Sequence, residues 1–412
     1  MKLKKVLTII LAASLAVLGS GCVESVDPSS TETTGTTGTT APVADDYKEP
    51  EYDLPDSIKM DKGILLYMGY NGNFGYPSDK LYETYTEDDI RKLKDSGVEQ
   101  FVLLPTGAYN YVKADDESTA VLLKSDVDAI TQDMLGTTNA LDMEKIKGEF
   151  NKSLDATTGG PQRGMDWLVE EYITLTNRIL SVDSDADIWY SFPDVLVYPI
   201  ANKYTDVFIE HILNALKAKL PEDVWNKNVG GFYYCSEAVV AWYTAFDTSN
   251  KENFGNNMVQ GMRDLSNAVH RENKKFLWIP YYQSGGEHQN AFRIGNIANT
   301  TNIFDFVCIQ PNYYFDARKE NWVTAVESIV ADNMVKDHNG KVMAGGKTSK
   351  TQIGPEMEID ERAPNADYIE RFQKYVDAYK KYVGKAPMVF YAGDRNATLS
   401  KEVLEQIAIM YK

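Results

Sequence analysis

The sequence predicts an α/β chain folded as a single (β/α)8 domain of the TIM-barrel type, and three observations predict it. Short apolar runs rich in β-branched and aromatic residues recur between residues 63 and 392, about eight in number. Longer amphipathic stretches alternate with them, which is the pattern of repeated βα units. No solenoid repeat and no internal linker interrupts this series, so the length suits one barrel with an insertion.

The first strand is predicted over 63–70, followed by a Gly/Asn-rich loop and a helix over 86–96. The second strand covers 100–105. An insertion at about 107–185 follows, with helical periodicity over 142–153 and 165–180, and leads to the third strand at 188–193. A helix over 206–220 precedes the fourth strand, 230–237, and a helix over 258–273 precedes the fifth, 275–281. The sixth strand is predicted over 304–313. After a helix over 322–332 and a Gly/Lys/Ser-rich excursion over 339–350 comes the seventh, 353–360; a helix over 366–382 leads into the eighth, 387–392. Trp189 and Trp278 fall mid-strand and read as core.

Ahead of the barrel, which is expected to occupy 59–412, the chain reads as an export and anchoring segment. Lys2, Lys4 and Lys5 form a cationic start, and 6–18 is an apolar run too short to span a bilayer, the anatomy of a signal peptide over 1–21. Leu18-Gly19-Ser20-Gly21-Cys22 resembles the lipobox at which bacterial lipoproteins are acylated and cleaved. The large apolar residue stands four places before the cysteine, where three is usual. Lipidation is expected on Cys22, and 22–58 is then a largely Ser/Thr-rich linker that buries too little apolar surface to fold. The expected location is a cell membrane or cell surface, lipid-anchored and facing away from the cytoplasm.

A formal net charge of -18 and a pI near 4.8 argue against nucleic acid or an anionic membrane surface as ligand, since both recruit clustered Lys and Arg. Cys235 and Cys308 lie in apolar strand-like runs and read as buried thiols. His211, His270, His288 and His338 show no metal-ligand spacing and no nucleophile motif beside them. Gly285-Gly286 and Gly345-Gly346 do not stand between a strand and a helix. No metal or other cofactor is therefore expected; the acidic cluster at 356–361 could hold Ca²⁺, though acidic runs are more often simply solvated.

In a barrel of this type the chemistry gathers at the C-terminal ends of the strands. The residues ending the predicted runs are Tyr70 and Asn71, Asp194, Glu237, Tyr281, Tyr282 and Gln283, then Gln310, Asn312 and Tyr313, Glu358 and Asp360, and Tyr391 and Asp394. Such a ring of tyrosines, amides and carboxylates suits a sugar, whose hydroxyls need planar donors and acceptors and whose apolar face stacks on aromatic rings. Glycosidic hydrolysis also needs two carboxyl groups flanking the bond. Glu237 ends the fourth predicted strand, while Glu356, Glu358 and Asp360 share one face of the seventh. In position this resembles the clan of retaining (β/α)8 glycosidases, with the acid/base on strand four and the nucleophile on strand seven. That clan carries Asn before the strand-four Glu; here the residue is Ser236.

Gly231-Phe232-Tyr233-Tyr234 with Glu237, Phe276-Leu277-Trp278-Ile279-Pro280-Tyr281, Gln310-Pro311-Asn312-Tyr313 and Glu356-Met357-Glu358-Ile359-Asp360 occur in that order. From about Gly63 onward the chain thereby resembles the bacterial family catalogued as domain of unknown function number 4855. The resemblance implies a glycosidase-like barrel in exported proteins and carries no activity with it. Two readings follow. In one the protein hydrolyses an extracellular glycan, with Glu237 as proton donor and Glu358 or Glu356 as nucleophile or base. Tyr70, Asp194, Tyr281, Gln310, Asn312, Tyr313 and Tyr391 would then hold the sugar. In the other it is a surface lipoprotein that binds a glycan without cleaving it.

Overall fold

The structure is a computed structural model that describes residues 50–69, 81–105, 165–192, 205, 208–237, 254–284 and 290–412. The expected signal segment, Cys22 and most of the linker, the helix over 142–153, Tyr70, Asn71 and Asp194 lie outside the described residues.

Eight parallel strands pair in sequence order and the eighth closes on the first. They are β1 Gly63–Met68, β2 Gln100–Pro105, β3 Asp187–Phe192, β4 Val229–Tyr234, β5 Lys275–Trp278, β6 Phe306–Ile309, β7 Gln352–Glu358 and β8 Val389–Tyr391. The predicted (β/α)8 barrel is thus what the chain forms. The helices are α1 Glu87–Asp95, α2 Met165–Val182, α3 Ala215–Lys219, α4 Glu222–Asn228, α5 Phe254–Arg271, α6 Asn290–Ala298, α7 Glu320–Asp332, α8 Ala366–Tyr379, α9 Arg395–Thr398 and α10 Lys401–Tyr411. A π-helical turn, Ile209–Asn214, leads into α3.

Local sequence explains the helix ends. At α1, the Thr86 hydroxyl accepts the Asp89 N–H while the Asp89 carboxylate accepts the Thr86 N–H, a capping box that satisfies two orphan donors. Asp89 also accepts two bonds from Arg395, at 2.9 and 2.6 Å, which ties α1 to α9. At α8, α9 and α10 the Asn365, Asp394 and Ser400 side chains each accept one first-turn N–H, from Asp367, Ala397 and Val403. Helix α2 packs Leu168, Val169, Tyr172, Leu175 and Ile179 into the barrel's outer core, and the Tyr172 hydroxyl donates to the Ser191 carbonyl of β3.

Several strands end earlier than their apolar runs. The fourth stops at Tyr234 and not at 237, because the Ser236 carbonyl accepts the Trp278 indole N–H and the Glu237 carbonyl accepts the Tyr281 N–H. The sixth stops at Ile309, and Asn312 just beyond it turns left-handed at φ 57. Helices α4, α6, α9 and α10 have no counterpart in the sequence reading. In α6 the poor helix formers Asn290, Gly295 and Asn296 hide the signal, and packing overrides propensity. Gly295 is met closely by Met343, with only 2.4 Å from an added Cβ to the Met343 Cβ.

Side-chain alternation divides the interior in two. Ile64, Leu66, Phe101, Leu103, Ile188, Tyr190, Phe232, Phe276, Trp278, Val307, Met357 and Phe390 point outward into a core shared with the helices. Leu65, Val102, Leu104, Trp189, Tyr233, Leu277, Ile279, Phe306, Cys308 and Val389 point inward and fill the barrel. Gly354 on β7 faces the backbone before β8 with no room to spare: an added Cβ would lie 1.6 Å from the Pro387 carbonyl oxygen. Gly354→Ala is therefore expected to destabilise the barrel by about 1–3 kcal/mol, read as a lower urea midpoint at unchanged slope.

Candidate functional site

The site is built from the inward face of β7. Because Met357 and Ile359 belong to the outer core, Glu356 and Glu358 turn into the barrel, where they are 2% and 1% exposed. Register places Glu356 beside Val389 and Glu358 beside Tyr391. The Glu358 carboxylate accepts the Asn312 N–H at 2.9 Å and the Tyr375 hydroxyl at 2.5 Å. Tyr375 comes from α8 and is itself held by the Tyr314 N–H at 2.9 Å. The left-handed backbone at Asn312, tolerated by Asn better than by most residues, aims that N–H at the carboxylate.

The Asn312 side chain turns the other way, its amide oxygen accepting from the Lys319 ammonium at 2.7 Å. Lys319 also donates to the Tyr281 hydroxyl at 2.5 Å and sits over the Tyr281 and Trp322 rings, 4.9 and 5.0 Å from their centroids. A cation is thereby fixed at the rim. Burial lowers its pKa, and Asp316 and Glu358 work against that shift.

Glu237 lies three residues past β4, exposed, with its backbone carbonyl held by the Tyr281 N–H at 3.0 Å. Its charge is felt by Glu356, Glu358, Tyr67 and Tyr281, raising the pKa of each, so the three carboxyl groups share one mouth. Burial pushes the Glu356 carboxyl well above the usual carboxylate range, and the charges of Glu358 and Glu237 push it further. Burial also raises Glu358, opposed by Tyr375, the Asn312 N–H and Lys319. The physical contrast is plain: one residue exposed, one carboxyl group buried among donors, one buried beside like charge.

Of the residues singled out in the sequence, the structure brings together Glu237, Glu356, Glu358, Tyr281, Asn312 and Tyr391. Tyr391 points inward beside Glu358, and its ring meets Tyr67 edge-on at 6.1 Å. Gln310 is buried, its side chain donating to the Ile279 carbonyl at 3.2 Å. Tyr313 is placed elsewhere, in the outer core against Tyr375. Asp360 pairs with Arg362 through its side chain. Tyr282 is buried against Trp322. Cys308 is buried as expected, whereas Cys235 is half-buried at the inner cluster; neither is in a disulfide. Tyr70 and Asp194 lie outside the described residues.

Three contributors escaped the sequence reading. Tyr67 could have been found, since strict alternation from Leu65 puts it on the inward face. Tyr375 lies on the apolar stripe of α8 with Phe372 and Tyr379 and reads as core. Lys319 ends the short 3-10 turn Ala317–Lys319 and carries no periodic signal.

A Ser–His–Asp chain of contacts exists away from this mouth, with His270 3.4 Å from Ser266 and 2.8 Å from Asp305. It lies where Asp305 precedes β6, at the N-terminal face, and the Ser266 hydroxyl is engaged by the Ile303 carbonyl at 2.7 Å. It ties α5 to the barrel floor. No group of three or more potential metal ligands occurs among the described residues.

The raised carboxyl pKa values have a consequence for stability. The folded protein keeps these protons to higher pH than the unfolded chain, whose Glu titrates near 4.5, so the contribution of these two groups to stability falls as pH rises above that value. Glu356→Gln removes one such group. Its stability is expected to gain on the parent as pH rises above about 4.5, the gap widening by up to about 1.4 kcal/mol per pH unit, as measured by urea denaturation at a series of pH values.

Among solved structures the chain is similar to a GH5_18 from Bifidobacterium longum subsp. infantis, at 11% identity and a TM-score of 0.47, covering 86% of this chain and 79% of that one. It is similar to a GH5_18 from Streptomyces cattleya in complex with GlcNAc, at 10% identity and 0.43, covering 85% and 80%. A GH18 chitinase from Pseudoalteromonas aurantia matches at 8% identity and 0.40, covering 84% and 98%. The barrel rests on the chain's own strand pairing and not on these scores. No curated protein matches the sequence. The match to a family begins at residue 213 and leaves β1 to β3 outside it: residues 213–408 match the model of the family described as Domain of unknown function (DUF4855).

Proposed function

We propose that the protein is a glycoside hydrolase acting on an extracellular glycan, with Glu237 as proton donor and Glu358 as nucleophile or base. The observation that carries this reading is the pairing of an exposed carboxyl group past β4 with a donor-lined buried carboxylate on β7, both in one mouth. An acid must reach the leaving oxygen from the open side of the cleft, and Glu237 is exposed there. A nucleophile or base must be ionised when it acts: burial raises the Glu358 carboxyl to about 8, two hydrogen-bond donors and the Lys319 charge oppose that rise, and turnover through its anion is expected to increase as pH approaches 8. Glu356 lies one register step deeper, and its raised pKa suits a neutral carboxyl that donates a hydrogen bond. Tyr281, Asn312 and Tyr391 would meet the sugar's hydroxyls and its apolar face.

Ser236, where the resembling clan carries Asn, favours a second reading, a glycan-binding protein without turnover. The two part on one experiment. Glu237→Gln is expected to lower turnover of a cleaved glycan by about 10²–10⁴-fold while leaving its binding intact. Binding with no cleavage by the parent protein selects the second reading, and loss of binding in the variant removes the role given to Glu237.

We further propose that Cys22, outside the described residues, carries a lipid that holds the barrel at a membrane, facing away from the cytoplasm. Metabolic labelling with palmitate is expected to mark the parent protein and not Cys22→Ala, with the variant moving from the membrane to the soluble fraction. Equal labelling of both would remove the anchor.

A further inference from the structure

Lys319 stands at the N-cap of α7, the positive end of a 13-residue helix, where an anion is favoured and a cation is not. Its side chain is also largely withdrawn from water, at 18% exposure. Neither helix stability nor solvation accounts for a cation in this place. An ordinary ion pair does not account for it either. Among the described residues the one carboxylate within ion-pair distance, Asp316, lies 3.8 Å away and is engaged by the Arg318 guanidinium at 2.9 and 2.8 Å. What Lys319 touches closely is neutral: the Asn312 amide oxygen, the Tyr281 hydroxyl, and the Tyr281 and Trp322 rings.

These contacts converge on one group. The Asn312 side chain is held by Lys319, while its backbone N–H donates to the Glu358 carboxylate at 2.9 Å. One residue thus bridges the cation and the carboxylate, and a bond at each end keeps its backbone in the left-handed region that few residues adopt. The other groups whose charge acts on Glu358, or is acted on by it, are Glu356 on β7, Glu237 past β4, Tyr281 past β5, and Tyr375 and Tyr379 on α8. All of these are acids. Lys319 is the cation among them.

We propose that Lys319 is a positioning residue for Glu358: through Asn312 it fixes the turn whose N–H grips the carboxylate, and it supplies the positive charge that keeps that carboxylate ionised when it acts. The inference rests on reading Glu358 as nucleophile or base, and it adds the residue that makes its anion available.

Two variants test it. Lys319→Met removes the charge and the hydrogen bonds, whereas Lys319→Gln removes the charge and keeps a donor for Asn312. Loss of a cation disfavours the anion, so the Glu358 carboxyl titrates higher in both. The titration is read by NMR of the glutamate carboxyl carbons in the full-length protein, the Glu358 signal being identified by its loss in Glu358→Gln. Its midpoint is expected to rise by about one pH unit in Lys319→Gln and by more in Lys319→Met. On a glycan that the parent cleaves, kcat at pH 7 is expected to fall about tenfold in Lys319→Gln with KM little changed, the loss shrinking as pH rises past the new midpoint. Lys319→Gln keeps most of the stem and carries the test if Lys319→Met unfolds. A Glu358 midpoint equal to the parent's in the folded variants overturns the proposal, as does a loss of turnover that is the same at every pH, which a merely structural tie would give. Turnover that survives in Glu358→Gln removes the reading of the site instead. The midpoint then still decides whether Lys319 holds the anion, with or without a cleaved glycan.

Discussion

A closed barrel with a packed interior is a poor place for charge, and β7 puts two carboxyl groups there. Burying an ionised carboxylate without partners is costly enough that the group either neutralises or acquires donors. Burial raises both carboxyl groups, Glu358 to about 8, and around Glu358 donors oppose the rise. Around Glu358 stand the Asn312 N–H, the Tyr375 hydroxyl and, one step away, the Lys319 ammonium. Glu356, deeper and beside like charge, is driven toward its neutral form. Much of the rim follows from that contrast. The left-handed turn at Asn312, the reach of Tyr375 from α8 and the seating of Lys319 between two aromatic rings all serve one carboxylate.

The two ends of the barrel are built for different ends. At the N-terminal face, polar groups are used up in ties: His270 to Asp305, Asp305 to the Phe276 N–H, and the Tyr411 hydroxyl to the Gly63 carbonyl. At the C-terminal face, the carboxyl groups converge from β7 and from the segment after β4, and the aromatic rings of Tyr67, Tyr281 and Tyr391 surround them. A glycosidase reading draws on that asymmetry.

Most of the barrel was legible in the chain because its signal is local. Strands such as Gln100–Pro105 are continuous apolar runs, and α1 announces itself with Thr86, Asp89 and a buried Ile90 and Leu93. Sheet alternation likewise put Glu356 and Glu358 on one face. What was illegible depends on contacts between distant segments. Where β4 stops is decided by Trp278 and Tyr281 of the next unit. That Tyr313 turns outward follows from the left-handed residue before it, and Lys319 matters only because β5 and β6 bring Tyr281 and Asn312 to it. α6 holds its helix against its own composition because Met343 packs on Gly295.

The Trp189 indole gives the mouth a floor. It fills the barrel against Phe306, in space left by Gly230 and Gly231, with Leu277 and Val389 in the same cluster. The barrel is therefore a blind well and not a tunnel. Whatever enters between the β7 carboxylates and Tyr281 must leave by the doorway it came through, so departure of one occupant and arrival of the next compete for the same opening. A long chain cannot be threaded through and can only be laid across the rim, gripped from the side and let go from the side.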